Sequence, residues 1–113
     1  MSFIINLNML EMKPHPKFEG VKIGFVLTKE KHPELSITVL ELSPGVEIPL
    51  HTHEKEVDTI FILKGKGEVY LKNKWSQVKE GDVVVISPKE IHGLKANKDT
   101  NLKCYIVHAP ALW

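Results

Sequence analysis

The segment "GVEIPLHTHEKEVDTIFILKG", Gly45 to Gly65, decides the fold of this chain. Two histidines, His51 and His53, stand one residue apart in a segment that is otherwise typical of β-structure, and Asp58 follows five residues later. On an extended chain His51 and His53 point to the same face, about 7 Å apart. Both rings can therefore tilt toward one ion, and Asp58, at the start of the next predicted strand, supplies a carboxylate from a neighbouring strand.

The rest of the chain consists of short segments rich in β-branched and apolar residues, which predict strands. These strands are predicted at residues 21–28, 34–42, 58–64, 67–72, 82–87 and 102–108. Turn-forming residues separate them, and no stretch of about ten residues shows the 3.6-residue period of a crossover helix. The sequence predicts an all-β fold, an antiparallel β-barrel or jelly roll. The unbroken run Val83–Ile86 predicts a strand covered on both faces.

A length of 113 residues predicts a single domain. Residues 1–20 contain two prolines that stand close together. They predict an irregular N-terminal arm, with at most one helical turn around residues 9–12. Residues 21–113 are predicted to form the barrel.

Charge and composition narrow the classes of partner. Fifteen basic residues, all lysine, and fourteen acidic ones are scattered along the chain, so we expect no nucleic-acid partner. No apolar run approaches about 18 residues and no signal peptide is visible, so we expect no membrane partner and a cytoplasmic location. The single cysteine, Cys104, lies in an apolar run and predicts a small buried residue without a disulfide.

A third histidine lies in a second spaced pattern. Gly81, an apolar strand and Pro88 precede His92, which follows the glycine by eleven residues. Together with Gly45, His51, His53, Asp58 and Gly65, this pair of motifs resembles the two motifs of the cupin family, in the manner of small single-domain microbial members. The resemblance covers residues 21–109. The sequence departs from the family pattern at Asp58, where glutamate is usual, and at Ser87, Lys89 and Ala96.

The resemblance implies that His51, His53 and His92 are metal ligands and that Asp58 is the fourth. Three imidazoles and a carboxylate suit one divalent transition metal, Fe, Mn, Ni, Co, Cu or Zn, and are too rich in nitrogen for Ca or Mg. Four protein ligands on a six-coordinate ion leave two positions open. Inward-facing apolar residues, with Ile60, Ile62 and Val85 (or its neighbour, if the strand register is shifted) as the candidates, are expected to line a small dry pocket.

Several other side chains are assigned to structural roles. Glu54 and Glu56 are expected on a solvated turn, His108 at the end of a strand outside the site, and His15 and His32 on the surface. Trp113 ends an apolar tail, "APALW", which has no obvious place in a small core. That tail and the arm segment "FIINL" predict a homodimer in which the arm makes contacts and Trp113 lies at or near the interface.

Two functions remain open at this point. The first is an enzyme that acts on a small organic molecule chelating through oxygen, of dioxygenase, isomerase or lyase type. The second is a non-catalytic barrel that binds a small ligand or a metal as a sensor or accessory protein. Neither the identity of the metal nor that of a catalytic residue follows from the sequence.

Overall fold

The computed structural model describes residues 1–113 as ten β-strands and one turn of 3-10 helix, Leu7–Met9. The strands are β1 (Lys13–Pro14), β2 (Val21–Leu27), β3 (Ser36–Leu42), β4 (Glu47–His51), β5 (Val57–Lys64), β6 (Lys66–Leu71), β7 (Lys74–Lys79), β8 (Val83–Ile86), β9 (His92–Ala96) and β10 (Leu102–Ala109). The prediction of an all-β fold is confirmed. No helix in the structure has the length and apolarity needed to cross a bilayer.

The strands form two antiparallel sheets. The larger sheet has the order β1-β2-β3-β10-β5-β8 and the smaller has the order β4-β9-β6-β7. Their buried side chains, such as Ile62 of β5 and Leu94 of β9, form one core cluster. The jelly-roll prediction is confirmed, although the two sheets do not join into a closed barrel.

Buried and partly exposed residues alternate along β5 and β10, and at one end of these strands the buried positions are polar. In β10, Leu102, Cys104 and Ile106 are buried and the residues between them are partly exposed. The same period of two continues to His108, which is also buried, and in β5 it leads back from Ile60 to Asp58. Cys104 is fully buried, as predicted, and burial raises the pKa of its thiol to about 12.

Strand β8 differs from its prediction. Val83 and Val85 are 58% and 60% exposed, whereas Val84 and Ile86 point inward and are buried. The strand lies at the edge of the larger sheet, and no further layer covers its outer face. The expectation that both faces of this run are covered was therefore wrong.

Four strands were not predicted as such, and each lacks a clear apolar pattern. The strand β4 contains Pro49, which is tolerated because β4 is an edge strand of the smaller sheet. The strand β7 is mostly polar, β9 contains Gly93, and β1 has two residues.

The N-terminal arm lies against the larger sheet. Lys13 and Pro14 of β1 pair with β2, and a side chain at Gly24 would collide with Leu10 and Met12. The helical turn occurs slightly earlier than expected, at Leu7–Met9.

Candidate metal centre

Five polar side chains meet at one end of the core, and the two sheets supply four of them as two cross-strand pairs. His51 of β4 lies opposite His92 of β9 in the smaller sheet, and Asp58 of β5 lies opposite His108 of β10 in the larger sheet. His53 comes from the loop after β4, where its carbonyl accepts a hydrogen bond of 2.7 Å from the backbone N–H of Lys89. The pairing of strands therefore fixes four of these side chains, and a loop contact fixes the fifth.

Backbone carbonyls orient two of the imidazoles. Nδ1 of His51 lies 2.8 Å from the Pro49 carbonyl oxygen, and Nδ1 of His92 lies 2.9 Å from that of Glu90. Because a carbonyl oxygen only accepts, each Nδ1 carries the hydrogen and donates it. The lone pair of each ring is then on Nε2, the arrangement found in metal-binding histidines.

The potential ligand atoms converge on Oδ2 of Asp58. Nε2 of His53 lies 3.6 Å from it, and Nε2 of His92 and of His108 each lie 3.3 Å from it. Adjacent ligands bonded at about 2.1 Å to one ion are about 3 Å apart. The observed separations are slightly longer than that value, so a small contraction would bring the atoms to coordination distance.

Two overlapping groups of ligand atoms meet the spacing of a metal site. His51, His53 and His92 form one group, and His53, Asp58 and His108 form the other; within each group the ligand atoms lie within 4.8 Å of one another. His53 belongs to both groups and so links them.

Unpaired polar atoms in the cluster support this interpretation. Oδ1 of Asp58, Nε2 of His92 and Nδ1 of His108 are buried and have no hydrogen-bond partner. Buried polar atoms are nearly always paired, because leaving one unpaired costs about 1–3 kcal/mol. A cation bound among these donors would satisfy the Asp58 and His92 atoms, so the residues present fit a transition-metal ion.

The carboxylate of Asp58 is held in its charged form. Burial alone would raise its pKa, but contacts with His108 and His92 outweigh burial, and the pKa lies well below its usual range. The side chain of Asp58 is therefore a carboxylate anion at any pH at which the histidines are neutral.

The pKa values of the imidazoles are shifted in different directions within this cluster. Burial, and after it the neighbouring His108, together lower the pKa of His53 to about 4. Burial also lowers the pKa of His51. For His92 burial acts in the same direction, but its contacts with Asp58 and the Glu90 carbonyl outweigh it and raise the pKa.

The structure brings together all four residues predicted from the sequence. One detail differs, because β4 ends at His51 and His53 lies in the loop beyond it rather than in the strand. Glu54 is exposed, and neither Glu54 nor Glu56 lines the cavity described below.

His108 was placed outside the site on sequence grounds, and the structure puts it inside. The signal for its position was present in the alternation Leu102, Cys104, Ile106, His108, which assigns His108 to the buried face. Pairing with Asp58 was not visible, because it depends on which strand becomes the neighbour of β10.

The cluster opens into a cavity of about 400 Å³ between the sheets. Ile60 lines it, as predicted, but Ile62 lies in the core behind it and Val85 faces outward. His15, which was expected on the surface, is partly buried and lines the cavity. Trp113 also lines it and packs against the core, so the tail does have a place within its own chain.

The chain is thus a small two-sheet antiparallel β-protein in which histidines and a carboxylate that could hold a metal ion lie at the end of an internal cavity. Comparison with known families specifies the class. A model of the cupin domain matches residues 38–108, which is more than half of the sequence. The chain belongs to the cupin family.

Individual relatives agree with this assignment. The chain is 31% identical over 85 residues to an oxalate-binding protein of Thermotoga maritima, a match that covers 74% of this chain and 70% of the relative. A crystal structure of a predicted oxalate decarboxylase from the same organism superposes with a TM-score of 0.86 at 25% identity, over 96% of this chain and 99% of the other. A polyketide cyclase of Streptomyces resistomycificus has the same fold, with a TM-score of 0.85 at 19% identity over 96% of this chain and 80% of the other.

Proposed function

We propose that this cupin holds one divalent transition metal through His51, His53, His92 and Asp58 and acts as an enzyme on a small organic molecule that chelates through oxygen. The observation that carries the proposal is the convergence of these side chains, with unpaired buried atoms, at the end of a cavity large enough for a small ligand. The donor set suits Fe, Mn, Ni, Co, Cu or Zn. Such an ion supplies Lewis acidity or oxygen activation.

The protein's own groups have separable roles in this proposal. Three imidazoles and one carboxylate hold the ion, and His108 holds the carboxylate in place through Nε2, 3.3 Å from Oδ2. Apolar side chains around the cavity, such as Ile60 and Leu94, exclude water and so strengthen electrostatic interactions with the ligand. The reaction is of dioxygenase, isomerase or lyase type.

A second candidate function is that of a non-catalytic protein that binds a small ligand or a metal. The relative from Thermotoga maritima is named for binding oxalate rather than for a reaction. The same metal centre serves this function, since chelation of a ligand requires only the ion and its open positions.

The experiment that tests the proposal has two steps. Metal content is measured in protein purified without added metal, for the wild type and for the double variant His51→Ala/His53→Ala. We expect about one transition-metal ion per chain in the wild type and loss of tight binding in the variant, with unchanged circular dichroism because the core is apolar. The variant His32→Ala, which removes a histidine outside the cavity, serves as the control. Full metal occupancy in the double variant would exclude this site.

The second step distinguishes the two functions. The metal-loaded wild type is screened for oxygen uptake with small enols and diols, and for carbon dioxide release from oxalate. Turnover that disappears in the double variant supports the enzyme. Saturable ligand binding without turnover supports the non-catalytic function.

We propose further that the chain forms a homodimer. The arm exposes large apolar side chains at Phe3, Ile4 and Ile5, and the outer face of β8 exposes Val83 and Val85. Apolar surface of this kind on a small protein, next to an unpaired sheet edge, is typical of a contact between subunits.

A further inference from the structure

Three aromatic rings line the same cavity as the metal centre, and they come from opposite ends of the chain. The ring of His15 stacks on Phe18 with centroids 4.6 Å apart, and meets Trp113 edge-on with centroids 5.8 Å apart. All three rings are partly buried and line the cavity. We call these three residues the aromatic wall. They lie outside residues 38–108, the part matched by the family model.

Hydrogen bonds fix Trp113 in this position. The backbone N–H groups of Leu112 and Trp113 donate to the hydroxyl oxygen of Ser36, at 3.0 and 3.4 Å, and Ser36 is fully buried. The carbonyl oxygen of Trp113 accepts from the N–H of Lys29 at 2.7 Å. These bonds hold the backbone of Trp113, and the indole itself packs edge-on against His15 and Phe25, with centroids 5.8 and 5.4 Å apart. The ring is therefore placed before any ligand arrives, which lowers the entropy cost of binding.

The other side of the wall is equally fixed. Nδ1 of His15 accepts hydrogen bonds from the N–H groups of Lys17 and Phe18, at 3.0 and 3.3 Å. In the neutral ring the hydrogen is then on Nε2. The loop between β1 and β2 thus presents an ordered pair of stacked rings to the cavity.

The size and lining of the cavity exceed what a two-carbon diacid needs. Its volume of about 400 Å³ lies within the range of about 300–1,000 Å³ typical of sites for larger organic ligands. Its remaining lining is largely aliphatic, and includes Ile23, Leu40, Ile48, Ile60, Leu94 and Ile106. Oxalate has no apolar surface to bury against these side chains, so it would leave most of the lining without a partner.

We propose that the ligand is a chelating acid with a flat apolar body, whose adjacent oxygen atoms bind at the metal centre while its ring packs on the aromatic wall. The chelating end rests on the function proposed above; the packing of the flat body on the wall does not. Aromatic rings gain from stacked and edge-to-face contacts in addition to the area they bury. The wall therefore determines which chelating molecule is preferred.

Three probes separate the two halves of this ligand. Oxalate chelates but has no flat body, 2-naphthoate has the flat body without an adjacent hydroxyl group, and 3-hydroxy-2-naphthoate has both. Their affinities are measured by calorimetry on zinc-loaded and on metal-free protein. The variants are Trp113→Leu, which removes a ring of the wall, and Trp113→Phe, which keeps one. Trp75→Leu, which removes an indole outside the cavity, is the control.

We expect 3-hydroxy-2-naphthoate to bind the zinc-loaded wild type at least about tenfold more tightly than oxalate does. Trp113→Leu should weaken its binding about tenfold and leave oxalate within about twofold, whereas Trp113→Phe should retain most of the affinity. Trp75→Leu should alter neither ligand. Oxalate binding as tightly as the naphthoate, or an equal loss of both in Trp113→Leu, would overturn the proposal.

Failure of the metal site gives a different result. If the chain takes up no zinc, the proposed function fails, but the wall is still tested by 2-naphthoate on metal-free protein. Weaker binding of 2-naphthoate in Trp113→Leu than in the wild type supports the wall. Equal binding, or none to either protein, contradicts it.

Discussion

At the residue scale, Asp58 is the position within the cluster where this chain departs from the pattern that its resemblance to the family suggested. Its side chain is one methylene shorter than glutamate, yet its Oδ2 lies within 3.6 Å of three imidazole nitrogens. The short side chain is compensated by its position in β5, opposite His108, which directs the carboxylate into the cluster. The acid therefore does not need the extra length to reach the three imidazoles.

Substitution of Asp58 tests this geometry. We expect Asp58→Glu to retain the metal, since the carboxylate is kept. Asp58→Ala should weaken metal affinity, by less than the double histidine variant does, because three imidazoles remain. Titration with a competing chelator measures both changes. If neither substitution alters the affinity, Asp58 is not a ligand.

The shifted pKa values of the histidines predict that the metal-free protein loses stability in mild acid. The folded-state pKa of His53, about 4, lies below the unfolded value of about 6.5, so His53 stabilises the fold above pH 6.5 and this contribution is lost as pH falls toward 4. His51 acts in the same direction. His92 acts in the opposite direction, because its raised pKa adds stability when it is protonated.

The shift at His53 is the largest among the three, so we expect the net stability to fall between pH 6.5 and 4.5. Urea denaturation at several pH values measures it. The variant His53→Gln, which does not titrate, should flatten the dependence. If the dependence of the unfolding free energy on pH is unchanged in His53→Gln, the effect comes from other groups.

The sequence predicted four residues of the cluster because their spacing is local to two motifs. His51, His53 and Asp58 belong to one segment, and His92 follows a turn at a fixed distance from a glycine. His108 and His15 were assigned elsewhere, because their places depend on strand pairing and on how an irregular arm folds back. Contacts between distant parts of the chain are not encoded in a short spacing.

At the scale of the elements, the connection from β5 to β6 takes the chain from the larger sheet to the smaller one at Gly65. This residue has φ +92°, a conformation that costs other residues about 1–2 kcal/mol, and a Cβ there would collide with the carbonyl oxygen of Asn101. Two elements, β5 and β6, depend on this one glycine for their relative placement.

We therefore expect Gly65→Ala to destabilise the fold by about 3 kcal/mol or more, from the backbone conformation and the collision together. Gly45 is a matched control, since its φ is +77° but nothing lies within 4 Å of an added Cβ. Gly45→Ala should cost only about 1–2 kcal/mol. Urea unfolding measures both, and equal losses would show that the contact with Asn101 is relaxed without cost.

Strands with a clear apolar period were predicted well, and the others were not. The boundaries of β2, β3, β5, β6, β8 and β10 lie within about two residues of expectation. The strands β4, β7 and β9 have proline, polar residues or glycine in place of that period, and they form because partner strands supply their hydrogen bonds. The prediction that both faces of β8 are covered was wrong. A run of four apolar residues does not reveal whether another layer of the protein packs on the second face of the strand.

At the scale of the whole molecule, the homodimer is the main prediction. The expected interface uses the arm, and Trp113, which packs on its own cavity, is not needed for it. Light scattering at micromolar concentration should give the mass of two chains. Removal of residues 1–12 should shift the protein toward monomer or aggregate. A wild type that is monomeric under these conditions would refute the proposal.

The deletion also removes Leu10 and Met12, which cover Gly24, so a milder variant is needed. Ile4 is fully exposed in the single chain, so Ile4→Lys costs the monomer nothing and places a charge in the proposed interface. We expect it to weaken the dimer. Glu19→Lys, which changes an exposed charge near the end of the arm, should leave the mass unchanged.

The separate origins of the metal centre and the aromatic wall bear on how such a protein diversifies. The proposed ligands lie between residues 51 and 92, whereas the wall is built from the loop at residues 15–18 and from Trp113. We therefore expect that grafting these two short segments onto a relative would transfer ligand preference and leave the proposed metal ligands unchanged. If the proposals above hold, ligand preference in such a protein can thus change through substitutions in these two segments while the proposed metal ligands stay the same.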